Sequence, residues 1–167
     1  MELTQVIQER RCIRSFTDEV PTKEQIKAIL EAGRLAPSWV NVQPWHFIVV
    51  QDKDILEALQ DVSFGQPHVA GANTIILCCG DKNAWEPQNY EKIVRQRPGI
   101  TEERVKILTS NPAYSPKMLS ENAVVYRTLE QVTFATAYMT LEAHNQGLGM
   151  GIVGGIAKPL TQANKEA

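Results

Sequence analysis

The chain has 167 residues, 43% hydrophobic and 22% charged, and its 17 Lys plus Arg against 19 Asp plus Glu leave a net charge of -2. These values fit one globular domain over residues 1–167 and exclude a disordered chain, a collagen and a disulfide-stapled miniprotein. The charge balance argues against a dedicated nucleic-acid binder, and no apolar run nears the ~18 residues of a membrane span.

The N-terminus, MELTQVIQERR, lacks a secretory layout. Three cysteines, two of them the adjacent Cys78 and Cys79, read as reduced thiols of a cytoplasmic protein. His46, His68 and His144 show no metal-ligand spacing. The expectation is therefore no metal, no nucleic acid and no membrane.

In chain order, Leu3, Val6 and Ile7 predict a short amphipathic helix near 2–11. Thr22 and Gln25 form a capping box that opens a second helix, with Ile26, Ile29, Leu30 and Gly33 on one face. Pro37 ends it, and residues 38–44 read as loop. The run 46–50 is a strand by its β-rich composition, 55–59 is helical, and the apolar run 74–79 reads as a central strand covered on both faces. Residues 81–117 are polar and interrupted by four prolines. They are expected to be a surface excursion or lid with one or two short helices.

From Glu121 to Gln146 the pattern is a long helix with two apolar stripes. One runs through Val125, Leu129, Val132, Ala135, Met139 and Ala143, and the other through Phe134, Tyr138 and Leu141. Such a helix is buried, or shared between core and subunit interface. Gly147 suits its C-terminal cap, and a Gly-rich stretch follows. Helices mixed with few strands predict a layered α/β or α+β domain.

Three segments can carry chemistry. Arg10, Arg11 and Arg14 place three guanidiniums within five residues, a local site for a dianion or simply a solvated basic patch. Cys12 among them is a reactive thiol or a packed one. The loop 36–45 combines two prolines, the polar Ser38, Asn41 and Gln43, and the flat faces of Trp39 and Trp45. It could cradle a heteroaromatic ring or be a loop with buried Trp anchors. Gly147–Gly155 follows a helix, so it is not the dinucleotide fingerprint. Its glycines permit close backbone approach to a flat group, or make a tight turn. No side-chain triad assembles.

Taken in order, RRCIRSF at 10–16, APSWVNVQPWHF at 36–47 and the long helix running into GLGMGIVGG resemble the FMN-dependent nitroreductase family. The resemblance implies an α+β fold: a three-layer α/β/α sandwich with a mixed, mainly antiparallel sheet and a long central helix. It implies a homodimer with FMN at the subunit interface. Arg10, Arg11, Cys12 and Arg14 would hold the phosphate, ribityl and pyrimidine side. Pro37, Ser38, Trp39 and Asn41, with Gln43, would reach the flavin from the partner subunit, and Ile152, Val153, Gly154 and Gly155 would lie beside the ring.

No side chain is implied as catalytic, because the flavin carries the chemistry. NADH or NADPH would reduce it, and a nitroaromatic, quinone or enone would reoxidise it in a ping-pong hydride mechanism. The alternatives are a flavin-binding storage or redox-sensing protein, a related flavin enzyme with another outcome, and an interaction domain without cofactor. Family chains usually continue beyond the Gly-rich loop into a further helix, a strand and a partner-embracing extension, whereas this sequence stops at Ala167.

Overall fold

The computed structural model describes residues 1–155. The expectation about the chain's end falls outside them. The described residues form seven α-helices and two strands, an α+β fold. They fall into two units, interleaved along the chain: residues 1–29, 48–77 and 140 onward, and residues 30–47 and 78–139.

Helix α1 (Leu3–Glu9) buries only Val6. Helix α2 (Lys23–Arg34) starts at the predicted box: Thr22 N–H donates to Gln25 Oε1 at 2.9 Å and Gln25 N–H donates to Thr22 Oγ1 at 3.2 Å. Those bonds satisfy two of the donors that a helix start leaves orphaned. Helix α3 (Lys53–Val62) is capped by Asp52, whose carboxylate accepts from Ile55 N–H. A one-turn helix, α4 (Pro67–Ala70), follows with Pro67 in its first turn, a place where its missing N–H costs nothing.

Strands β1 (Trp45–Val50) and β2 (Ile75–Gly80) pair. Asp81 N–H donates to the Pro44 carbonyl at one end, and Gln51 Nε2 donates to Thr74 Oγ1 at the other. Partners 44 with 81 and 51 with 74 run in opposite senses, so the pair is antiparallel. The strand 74–79 was expected to be covered on both faces. Instead Ile75 to Cys79 are all half-buried. β1 is its only neighbouring strand among the described residues, so the sheet encloses it less than a central position would.

Helices α5 (Pro87–Arg95) and α6 (Glu102–Ser110) occupy the stretch expected to be a surface excursion. It is a core element of the second unit. Trp85, Tyr90, Val94, Val105 and Leu108 form one apolar cluster with Val42 and Val124, and Trp85 and Val94 are completely enclosed. The prolines here start turns and helices rather than mark a detached loop.

Helix α7 (Glu121–Asn145) is the expected long one. Gly147, at φ +77°, closes it: Leu148 N–H donates to the Ala143 carbonyl and Gly147 N–H to that of His144, a Schellman motif. Its buried face differs from the expected stripe. Val132, Ala135, Met139 and Ala143 of that stripe are buried, but Val124, Thr128 and Gln131 are buried in place of Val125 and Leu129, which are exposed together with Phe134 and Tyr138. The polar Thr128 and Gln131 can point inward because each has a partner. Thr128 Oγ1 accepts from Trp85 Nε1 at 2.9 Å, and Gln131 Oε1 accepts from Trp39 N–H at 2.7 Å.

Candidate functional site

In the first unit, the basic segment and the Gly-rich segment lie side by side. Cys12 and Met150 form an isolated parallel bridge, with Ile13 N–H donating to the Met150 carbonyl at 3.1 Å. Glycine is what allows this approach. A Cβ on Gly151 would sit 2.6 Å from the Ile13 carbonyl oxygen, and one on Gly149 would sit 3.0 Å from the Ile13 side chain. Cys12 is thus backbone-paired and its thiol side exposed.

The three guanidiniums divide by role. Arg11 Nη1 donates to the carbonyls of Gln8, at 2.6 Å, and Arg10, at 2.9 Å. It therefore caps the C-terminal end of α1, where a cation meets the negative end of the helix dipole. Arg10 and Arg14 have no hydrogen bond or ion pair from their side chains among the described residues. Beyond the bridge, Ile152 and Gly154 are exposed and Val153 half-buried, and a Cβ on Gly154 would meet nothing within 4 Å. Gly155 lies against the Phe64 ring, where a Cβ would come within 2.9 Å. Phe64, which sequence reasoning did not single out, takes a left-handed φ of +61° at an exposed turn.

In the second unit, the loop 37–43 is held in an unusual shape. Val40, Asn41 and Gln43 have φ of +53°, +58° and +47°. A left-handed valine is an outlier, and each such residue costs on the order of 1–3 kcal/mol. The surroundings hold the shape. Gln43 N–H donates to Ser38 Oγ at 3.0 Å, Gln43 Nε2 donates to the Arg34 carbonyl at 3.1 Å, and Trp39 N–H donates to Gln131. Arg127 lies over the Trp39 ring, 4.7 Å from its centroid, and Tyr114 stacks on it at 6.1 Å. Trp39 is therefore an anchor of the loop, while Pro37 and Asn41 are exposed. The Asn41 amide has no side-chain partner among the described residues. Gln131 and Arg127 were missed from sequence. A glutamine on the apolar face of a helix was the available signal.

The Nitroreductase family model matches residues 7–164, nearly the whole chain. The chain belongs to the Nitroreductase family. Over 160 residues it is 28% identical to a protein from Helicobacter acinonychis named oxygen-insensitive NADPH nitroreductase, covering 90% of this chain and 73% of that one. Over 82 residues it is 38% identical to an FMN reductase of Bacillus subtilis, covering 49% of this chain and 33% of that one. A crystal structure of a nitroreductase-like protein from Streptococcus mutans superposes with a TM-score of 0.74 at 26% identity, covering 86% of this chain and 71% of that one. The chain spans about half the length of several of the curated relatives it matches.

The residues suit a family flavin on this structure's own terms. A phosphate dianion needs donors not already engaged, and Arg10 and Arg14 qualify where Arg11 does not. A flat ring needs open backbone, and Gly154 provides it. Of the strained loop residues, Val40 packs on the second unit's core cluster and Gln43 bonds to Ser38 and the Arg34 carbonyl, as in a pre-organised binding loop. Among the described residues no helix is long and apolar enough to cross a membrane, and no group of three His, Cys, Asp or Glu could hold a metal ion.

Proposed function

We propose that this nitroreductase-family chain is an FMN-dependent oxidoreductase that uses NADH or NADPH to reduce a small organic acceptor, a nitroaromatic, quinone or enone. The single observation that carries this reading is the pairing of Ile13 with Met150. It sets two unengaged arginines beside an open glycine backbone in a chain of this family.

In this reading Arg10 and Arg14 hold the FMN phosphate with charge-assisted hydrogen bonds, and Arg11 supports them by fixing the end of α1. Cys12 offers backbone more than side chain, since a thiol is a weak donor. Ile152, Val153, Gly154 and Gly155 border the ring, with backbone N–H groups as donors. Pro37, Ser38, Trp39, Asn41 and Gln43 belong to the loop that meets the flavin from a partner subunit. There Asn41 supplies a free amide, and Ser38, Trp39 and Gln43 hold the loop's shape. Bound FMN would supply the redox chemistry, hydride acceptance from NAD(P)H and two-electron reduction of the acceptor in a ping-pong exchange, while Arg10, Arg14 and the 152–155 backbone would hold it. No side chain of this chain is required as acid or base, and solvent provides the remaining proton.

The protein acts in this reading as a cytoplasmic homodimer. Val125 and Leu129 on one flank of α7, and Phe134 and Tyr138 on the other, support this as exposed apolar side chains that a subunit interface would cover. The names of relatives, an NADPH nitroreductase and an FMN reductase, support the choice of reductant and flavin.

The test is the visible spectrum of the purified protein with added FMN, before and after anaerobic NADH or NADPH. Flavin that binds and bleaches supports the enzyme. Flavin that binds without bleaching would make this a storage or sensing protein. No binding would overturn the reading.

A further inference from the structure

We infer that the cleft between the 41–43 loop and the end of α5 is a carboxylate-recognition site, with Arg97 the residue that selects a small planar acid as acceptor. This rests on the oxidoreductase reading and names its substrate class. The cleft has a volume of about 370 Å³ and is lined by Asn41, Val42, Gln43, Ile93, Gln96, Arg97 and Pro98. That volume suits a single substituted aromatic ring. Val42, Ile93 and Pro98 provide apolar wall, and Gln96 and Arg97 provide donors. No acidic residue lines it.

Arg97 differs from neighbouring arginines in that its charge meets no acidic group or ring face among the described residues, the buried Tyr90 hydroxyl being the group it acts on. Arg95 pairs with Glu91 and Glu102, Arg34 with Glu31 and Arg127 with Glu130, and Arg104 lies over Tyr114. The Arg97 guanidinium has no hydrogen bond, ion pair or ring contact among the described residues. Its backbone, by contrast, is fixed. Arg97 N–H donates to the Val94 carbonyl, and Ile100 N–H donates to the Arg97 carbonyl across Pro98 and Gly99, the latter at φ +70°. Pro followed by a left-handed Gly is the signature of a type II turn, which presents the preceding residue in one direction. A planar guanidinium lining a cleft that has no acidic residue matches a carboxylate better than a neutral group.

The experiment compares 4-nitrobenzoate with the near-isosteric neutral 4-nitrobenzamide, using the full chain with and without FMN. Binding is read by ligand-observed NMR and turnover by NADH and NADPH oxidation. Arg97→Ala should weaken 4-nitrobenzoate about tenfold, the equivalent of one charged hydrogen bond, and leave 4-nitrobenzamide unchanged. Arg97→Lys should recover part of the preference, because it keeps the charge without the fork. Loss of both ligands alike, or of neither, overturns the inference. So does a rise confined to the KM for NADPH, which would assign Arg97 to the nucleotide's phosphate. Failure to bind or bleach FMN would sink the oxidoreductase reading instead, and the NMR comparison would still decide the carboxylate site.

Discussion

The Ile13 amide donates to the Met150 carbonyl at 3.1 Å, and this one bond ties the arginine segment to the Gly-rich segment 137 residues further on. Its geometry depends on Gly151, whose absent Cβ leaves room for the Ile13 carbonyl at a distance no side chain tolerates. Gly151→Ala should therefore cost about 1–3 kcal/mol, as overpacking does, and lower flavin content with it. Gly154→Ala is the control, because nothing lies within 4 Å of the added methyl. It should change stability by less than about 0.5 kcal/mol. Urea melts of the two variants check the pair, and equal destabilisation would refute the account.

The arginines should separate experimentally. Arg10→Ala and Arg14→Ala remove charges with no partner among the described residues, so they should leave the melting temperature unchanged while weakening FMN binding. Arg11→Ala removes the cap on the Gln8 and Arg10 carbonyls, so it should fray α1 and lower the melting temperature with a smaller effect on FMN. Flavin titration beside a thermal melt reads both. Unchanged FMN affinity in the Arg10 and Arg14 variants would remove the phosphate assignment.

What was legible in the sequence was what local chemistry decides. The Thr22–Gln25 box, the Gly147 cap and the β-rich runs each act through neighbours a few residues away, and all three appear where expected. The buried face of α7 was harder to read because Thr128 and Gln131 are inward through bonds to Trp85 and Trp39, partners 43 and 92 positions away. Counting apolar residues alone therefore found Val132, Ala135, Met139 and Ala143 but put Val125 and Leu129 inside in place of Val124 and Thr128. The left-handed Val40 was equally hidden, since nothing local favours it and only tertiary contacts sustain it. The core role of residues 84–108 was masked by polar composition, because a few large residues such as Trp85 and Tyr90 carry its burial.

Gln131 should be the support on which the 37–43 loop depends most. It is 3% exposed, and its carbonyl oxygen is the acceptor for the Trp39 amide. Gln131→Leu would keep the volume and leave that donor unpaired, at a cost of about 1–3 kcal/mol. Gln131→Glu retains an acceptor and should recover much of the loop's order while paying for a buried charge. Trp39 fluorescence and acrylamide quenching would follow the loop directly. If Gln131→Leu left both stability and quenching unchanged, the loop would have to be held by the Gln43 bonds and the Arg127 and Tyr114 contacts to Trp39 instead.

Alkaline pH provides a test of the second unit's core. Burial pushes the Tyr90 hydroxyl up to about 12, with the positive charge of nearby Arg97 pulling the other way. The protonated hydroxyl donates to the Tyr114 carbonyl at 2.7 Å. The folded state thus holds this proton more tightly than the unfolded chain, whose tyrosine titrates near its ordinary value of about 10. The resulting stability is fully present below pH about 10 and is lost as pH rises toward 12, with a limiting slope of about 1.4 kcal/mol per pH unit for one proton. Tyr90→Phe should be less stable than the native chain at neutral pH, by about 0.5–1.5 kcal/mol for the lost bond. It should also lack this portion of the alkaline decline, so that the two stability curves converge above pH about 10 and cross before pH about 12. Lysines and other tyrosines titrate in both proteins and cancel in the difference. Parallel curves across that range would show that Tyr90 does not carry the alkaline step.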